Sequence, residues 1–273
     1  MIIRHALLII LAQTGCGSYH EKGESNAETG LADMDTAAAE PCSLSGLVAW
    51  WPGQGSAEDL ISTEDANPAT KMSYAPGIVG SAFAFDDSSS GLTAAASESS
   101  ESGVVQSLTF DAWVYPTDLS TERPIIEYSE ESGPAGAHFW LNTLPGGGST
   151  DTGTLYANLR DIDGDDHRIG TDPDVIDADT WTHVAVTYDG DSGVGVLYAN
   201  GEVVSKASMG NFTPQTSEPV NLGRRPPMSA DGSAGARFAG LLDEVDIWDR
   251  SLSEAEVRSI YEAGALGKCS GHD

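Results

Sequence analysis

Trp181-Thr-His-Val-Ala-Val-Thr-Tyr-Asp189, Gly190-Asp-Ser-Gly193, Val194-Gly-Val-Leu-Tyr-Ala199, Asn200-Gly201 and Glu202-Val-Val204 follow one another without interruption. Three short runs rich in Val, Thr and aromatic residues, separated by turn residues, read as three consecutive antiparallel strands. Asn-Gly between two such runs is the strongest local signal for a two-residue hairpin, because both central residues must accept positive φ. The stretch therefore predicts an all-β meander, and the chain on either side continues in the same style. Ala82–Phe85, Leu108–Tyr115, Ile125–Tyr128, His138–Asn142, Leu155–Leu159, Val220–Gly223 and Phe238–Trp248 are each apolar or alternating, and each is bounded by Gly, Pro, Asp or Ser. Many short strands at regular spacing predict a sandwich or a barrel. Leu47 to Trp51 makes a buried first strand, stopped by Pro52. Gly53 to Ala75 reads as a long polar loop, of a length that is uncommon without a function.

One helix is predicted, near the end. Ser253 with Glu256 three residues later is a capping box, Leu252 and Val257 fit a hydrophobic staple, and Gly264 sits where a C-terminal cap belongs. Val257, Ile260 and Tyr261 give that helix one apolar stripe, which must lie on the sandwich.

The chain has 273 residues, with 42 acidic against 13 basic side chains and a formal charge of −29. Such a balance argues against nucleic acid phosphates and anionic lipid headgroups as partners. Arg4 and His5, an apolar run from Ala6 to Ala12, and Gln13-Thr-Gly-Cys16 have the layout of a secretory leader too short to span a bilayer. The residues before Cys16 resemble a bacterial lipobox, with Gln13 where Leu is usual. That resemblance implies a signal peptide over 1–15, a lipid on Cys16 and, with Gly17 next, the outer membrane. Residues 16–41 are acidic, small and polar, and read as a disordered tether. The folded domain is expected over 42–270. Cys42 and Cys269 bracket it, and in an oxidising compartment they read as a disulfide worth about 4–5 kcal/mol in the chain-entropy model.

Several blocks in order carry a family resemblance: Gly46-Leu-Val-Ala-Trp-Trp-Pro52, Ala75-Pro-Gly-Ile-Val-Gly-Ser-Ala-Phe-Ala-Phe-Asp86, Leu108 to Pro116, Trp181 to Asp189, Tyr198 to Glu202, and Gly240-Leu-Leu-Asp-Glu-Val-Asp-Ile-Trp-Asp-Arg-Ser-Leu-Ser253. Together they resemble the LamG-like jelly-roll domains of the concanavalin A-like lectin and glucanase superfamily. The resemblance implies a two-sheet antiparallel jelly-roll sandwich that binds carbohydrate or an extracellular protein as a monomer. It also implies a structural calcium, with Asp59 and Asp243 as ligands and Asn67 as a further oxygen donor. Calcium wants six to eight oxygens, so backbone carbonyls or waters would complete the shell. Gln54 stands where Asp is often found.

Within Leu108–Tyr115, alternation places Leu108, Phe110, Ala112 and Val114 on one face and Asp111, Trp113 and Tyr115 on the other. An acid with two aromatics suits a saccharide; the competing reading is a second buried layer. The glucanases of the superfamily use paired carboxylates, and Glu244 with Asp249 comes near their pattern, so hydrolysis is one alternative and a non-binding structural surface protein the other. His183 lies in a strand between apolar neighbours and reads as structural. Asp161 to Asp166 lacks the glycine and glutamate positions of a calcium loop and reads as a hairpin turn.

Overall fold

The computed structural model of the protein describes residues 44–68, 72–87, 90–96, 106–133, 135–143, 152–227 and 235–268. Cys16, Cys42 and Cys269, and with them the expected lipid anchor and disulfide, lie outside the described residues. The strands are β1 (Leu47–Trp51), β2 (Asn67–Pro68), β3 (Ser73–Pro76), β4 (Ser81–Phe85), β5 (Leu92–Ala94), β6 (Leu108–Pro116), β7 (Arg123–Ser129), β8 (Ala135–Leu141), β9 (Leu155–Leu159), β10 (Arg168–Gly170), β11 (Thr182–Asp189), β12 (Val194–Ala199), β13 (Glu202–Ser208), β14 (Val220–Leu222) and β15 (Gly240–Trp248). One helix, α1 (Glu254–Ala263), follows.

The strands form two antiparallel sheets. The first has the order β13-β12-β11-β6-β15-β4-β3, with β1 also on β15, and the second has the order β10-β9-β8-β7-β14-β5-β2. The meander is β11-β12-β13, and its Asn200-Gly201 turn has φ of 50° and 75°, as a tight hairpin demands. The inner faces of the two sheets meet in one apolar core that includes Phe83, Phe110, Ile126, Phe139, Leu155, Tyr188 and Leu242.

β15 joins the first sheet together: β6 pairs along one edge, while β4 and then β1 share the other. A bulge between Asp243 and Asp246 breaks its register. Leu242 and Val245, three residues apart, can both face the core only because the bulge absorbs one residue. Glu244 sits in it at φ 52° and is turned away from the core it would otherwise enter. Asp246 and Trp248 then face outward, where plain alternation from Leu242 would have put them inside.

The outer face of the first sheet is not left to solvent. Val257, Ile260 and Leu252 pack on Trp50, Ala185, Tyr198 and Trp248, so α1 roofs this sheet with a second small core. The capping box forms as the sequence requires, with Ser253 accepting from Glu256 N and Glu256 Oε2 accepting from Ser253 N at 2.8 Å. Two expectations need correction. Gly53–Ala75 is not structureless, since it contains β2 and the start of β3, and the strand expected from Phe238 begins at Gly240. β2 pairs with β5, remote in sequence, so no local pattern announces it, whereas β3 pairs with its neighbour β4 in a hairpin that the loop reading missed.

Candidate functional site

Asp111, Trp113 and Tyr115 do share the outer face of β6, but Asp111 and Trp113 are buried in the layer beneath α1 and Tyr115 is half-buried beside it. Asp111 is 1% exposed; its Oδ2 accepts from Trp248 Nε1 at 2.7 Å and its Oδ1 lies 3.4 Å from His183 Nε2. Trp113 packs against His183 and against Tyr261 of the helix, with ring centroids 5.4 and 5.7 Å away. Tyr115 leans on Trp181 at 5.5 Å. The expected open sugar surface is thus a second packed layer, because the helix's apolar stripe needed a partner and found it here.

The same layer holds a buried ion cluster. Lys268 Nζ donates to Glu244 Oε2 at 3.2 Å, lies 2.5 Å from Asp246 Oδ2 as an ion pair rather than an aligned hydrogen bond, and is 4.0 Å from Asp111 Oδ1. Trp50 Nε1 also donates to Glu244 Oε2, at 3.1 Å. Burial alone would lower the Lys268 ammonium, but Asp246, Asp111 and Glu244 outweigh it and hold its pKa above the usual value. Burial, with repulsion from Asp111 and Glu244, drives Asp246 well up. Glu244 is therefore an interior ion-pair member, whereas Asp249 is exposed at the end of the strand. The two are not the facing carboxyl pair that retaining glycoside hydrolysis needs.

The expected calcium ligands serve the loops instead. Asp59 Oδ1 accepts from Trp50 N and Ile61 N, both at 2.9 Å, and its Oδ2 accepts from Ser62 Oγ at 2.5 Å. Asp243 Oδ2 accepts from Ile78 N at 2.7 Å and Val79 N at 2.9 Å, capping the β3–β4 turn. Gln54 directs its amide N–H groups to the carbonyls of Pro52, Val79 and Ser81, and accepts from Ser81 N. Asn67 is exposed on β2, directed at the Asp65 carbonyl at 3.4 Å. Among the described residues no group of three or more His, Cys, Asp or Glu side chains is placed to hold a metal. Hydrogen-bond donors face both Asp59 oxygens and Asp243 Oδ2, and Asp243 Oδ1 alone is buried without a partner among the described residues, one oxygen where calcium wants six to eight. The thermal midpoint is expected to be the same in calcium and in chelator; a calcium-dependent rise that Asp243→Asn abolishes would overturn this.

The second sheet offers a different surface. In β8, Ala137, Phe139 and Leu141 face the core, leaving His138 and Trp140 outward; in β9, Leu155, Ala157 and Leu159 face the core, leaving Tyr156 and Asn158 outward. Following the register sideways, Arg168, Asn158, His138, Glu127, Asn221, Thr93 and Asn67 stand opposite one another across all seven strands. A row of polar side chains on the outer face of a sheet is ordinary in itself, but here most of its members are buried. Asn158, His138, Glu127 and Asn221 are all under 9% exposed. Buried polar groups need partners, and these have them. Asn158 donates to Asp166 Oδ1 at 2.9 Å, Asn221 Oδ1 accepts from Thr93 Oγ1 at 2.9 Å, and Glu127 accepts from Trp140 Nε1 at 3.0 Å.

One end of that row opens into a pocket of about 270 Å³ lined by His138, Trp140, Tyr156, Arg160, Arg168 and Arg225, with Thr143, Asn158, Asp166 and Glu122 around them. Glu122 also lines a separate pocket of about 400 Å³. Burial, reinforced by the Arg225 charge, lowers the His138 pKa to about 3, which makes its imidazole neutral; its Nδ1 lies 2.9 Å from the Gly136 carbonyl. Two buried polar atoms at this pocket, Arg225 Nη2 and Thr143 Oγ1, have no hydrogen-bond partner among the described residues. None of these pocket residues was singled out from sequence, although Ala-Gly-Ala-His-Phe-Trp-Leu and Leu-Tyr-Ala-Asn-Leu alternate as clearly as β6 does.

Comparison with known proteins agrees with the architecture. Residues 86–258 match the Laminin_G_3 family model, described as the concanavalin A-like lectin/glucanases superfamily. A pentraxin-related protein of Bos taurus is 26% identical over 169 residues, which is 59% of this chain and 40% of that protein. The chain thus spans well under half the length of that curated relative. Among solved structures, domain 4 of the extracellular GH43 arabinanase AbnA from Geobacillus stearothermophilus, in complex with arabinotriose, superposes with a TM-score of 0.55 at 21% identity, covering 78% of this chain and 97% of that one. The binding domain of Paraclostridial Mosquitocidal Protein 1 gives a TM-score of 0.60 at 17% identity, covering 80% and 52%.

Proposed function

This chain belongs to the concanavalin A-like lectin/glucanases superfamily, and from that premise we propose that it is a binding module that takes a carbohydrate in the pocket on the outer face of its second sheet. The observation that carries this reading is the lining of that pocket, where the aromatic rings of Trp140 and Tyr156 stand beside Arg160, Arg168, Arg225 and Asn158. Aromatic rings beside convergent polar groups are the usual make-up of a small-molecule site. The first sheet supports the same choice by default, since its outer face is roofed by α1.

The reading extends to the envelope. A lipid on Cys16 and the tether over 16–41 would hold the module outside the cell at a membrane, where glycans are met. Intact-mass measurement of the mature protein checks the anchor: a chain that does not begin at a lipidated Cys16 would remove it.

Binding is tested with the full-length protein on an array of immobilised glycans. Arg168→Ala is the probing variant, because the residue lines the pocket while its side chain is 39% exposed, and circular dichroism should show the variant folded. Hydrogen bonds to a charged group contribute about 1.5–3 kcal/mol, so the variant should bind the retained glycan about tenfold or more weakly. Arg258→Ala, on α1 over the outer face of the first sheet and 41% exposed, should bind as the native protein does. Equal weakening by both variants would point away from this pocket.

A further inference from the structure

We infer that the ligand of this pocket is an acidic saccharide, one whose ring carries a carboxylate or a sulfate ester; this rests on the carbohydrate reading and narrows it. The chain has only 13 Lys and Arg among 273 residues, yet Arg160, Arg168 and Arg225 line this one pocket. Arg225 is paired with Glu127 and Arg168 with Asp166, which leaves the Arg160 guanidinium without a carboxylate partner among the described residues.

Arg225 is held in place on three sides. Its Nε donates to both oxygens of Glu127 at 2.7 and 2.8 Å, its guanidinium lies 4.1 Å from the Trp140 ring centroid, and its backbone N donates to the Ala236 carbonyl at 2.9 Å. Glu127 is fully buried and is oriented in turn by Trp140 Nε1 at 3.0 Å, so it is a positioning residue for the arginine. Its two oxygens are occupied by Nε and the indole, and Nη2 remains buried without an acceptor. A guanidinium fixed in this way keeps its charge at the pocket and loses little rotamer entropy when an anion binds beside it.

Arg160, just after the end of β9, is anchored only through its backbone carbonyl, which accepts from Gln215 N at 2.8 Å. Its side chain makes no hydrogen bond or ion pair with another described residue and acts on Asp166 and His138 through its field alone. Arg168 differs, since it is ion-paired to Asp166, which Asn158 also holds. His138 adds no charge but presents a neutral ring beside the two arginines. The rest of the molecule is strongly acidic and repels polyanions at long range, yet in physiological salt that field is screened beyond ~8 Å. Within the pocket the guanidinium groups decide. A volume near the small end of ligand sites, which start at about 300 Å³, suits one sugar residue rather than a long segment.

The test compares ligands that share a skeleton and differ in charge, using the full-length protein and calorimetry: sialyllactose against lactose, oligogalacturonate against its methyl ester, and dextran sulfate against dextran. At least one acidic member is expected to bind tenfold or more tightly than its neutral counterpart, and the first two pairs against the third distinguish carboxylate from sulfate. Arg160→Gln should erase most of that preference. Arg225→Gln should do the same, but it disturbs Glu127, so the Arg160 variant carries the decision. Equal affinity for acidic and neutral members, unchanged by Arg160→Gln, would overturn the acidic assignment and leave the carbohydrate reading standing. Binding of none of the six would overturn both.

Discussion

Replacing Lys268 by methionine should lower the thermal midpoint by about 10 °C. The methionine matches the lysine stem in length and apolar character, so packing is largely preserved and the loss isolates the charge. In the native protein one ammonium, 3% exposed, faces Glu244, Asp246 and Asp111, which are 2, 0 and 1% exposed. Removing one partner of a buried ion cluster leaves uncompensated charge in the interior, which costs about 3–5 kcal/mol. For a domain of this size each kcal/mol moves the midpoint by about 2–4 °C. Because the first strand and the last strand both contribute, through Trp50 and Glu244, the loss should be global rather than a fraying of the C-terminal end. Lys268→Met/Glu244→Gln should recover at least about 1 kcal/mol, since the amide keeps an oxygen for Trp50 Nε1 while removing one orphaned charge. A midpoint within about 2–3 °C of native for Lys268→Met, on the same scale, would mean that the cluster is hydrated and contributes little.

Between pH 7 and pH 4 the native protein should lose about 3 kcal/mol that the His138→Gln variant does not lose. The imidazole is buried, faces Arg225 and Arg160 on one side and Asp166 on the other, and has its pKa lowered to about 3, chiefly by burial and then by the Arg225 charge. In the unfolded chain the same ring titrates near 6.5. Above that value both states are neutral and the group contributes no pH dependence. As the pH falls through 6.5 the unfolded chain takes up a proton that the folded one refuses, so stability declines until about pH 3. Glutamine keeps a polar group and removes the titration. The measurement is urea unfolding of both proteins at pH 7 and pH 4, compared as a difference so that the other carboxylates cancel. Parallel pH slopes for the two proteins would mean that His138 is protonated, or solvated, in the folded state. The same neutrality predicts that ligand affinity is flat from pH 5 to pH 8.

Much of the fold could be read locally. The Asn200-Gly201 hairpin needed only two residues that tolerate positive φ between two β-rich runs, and the capping box needed only Ser253 and Glu256. The alternation of β6 separated Phe110 from Asp111 correctly. What alternation does not say is which outer face stays open. Asp111-Trp113 and His138-Trp140 have the same pattern, and their different fates turn on where α1 lies down. β15 was harder still: its bulge at Asp243–Asp246 reassigns Asp246 and Trp248 to the outer face, and no residue type marks that shift, because it is set by pairing with β4, β1 and β6 together.

The sequence by itself determined most of the strands, the meander and the capped helix, because each depends on backbone preferences and periodicities that act within a few residues. The tertiary structure alone decided the site. Arg160, Arg168 and Arg225 come from three separate segments, the His138–Asn158–Glu127 row exists only as register across strands far apart in sequence, and a carboxylate's role depends on what stands beside it. Asp59 and Asp243 became loop caps and Glu244 an ion-pair member for that reason: burial and neighbours, which are properties of the packed chain, set the chemistry of a charged group.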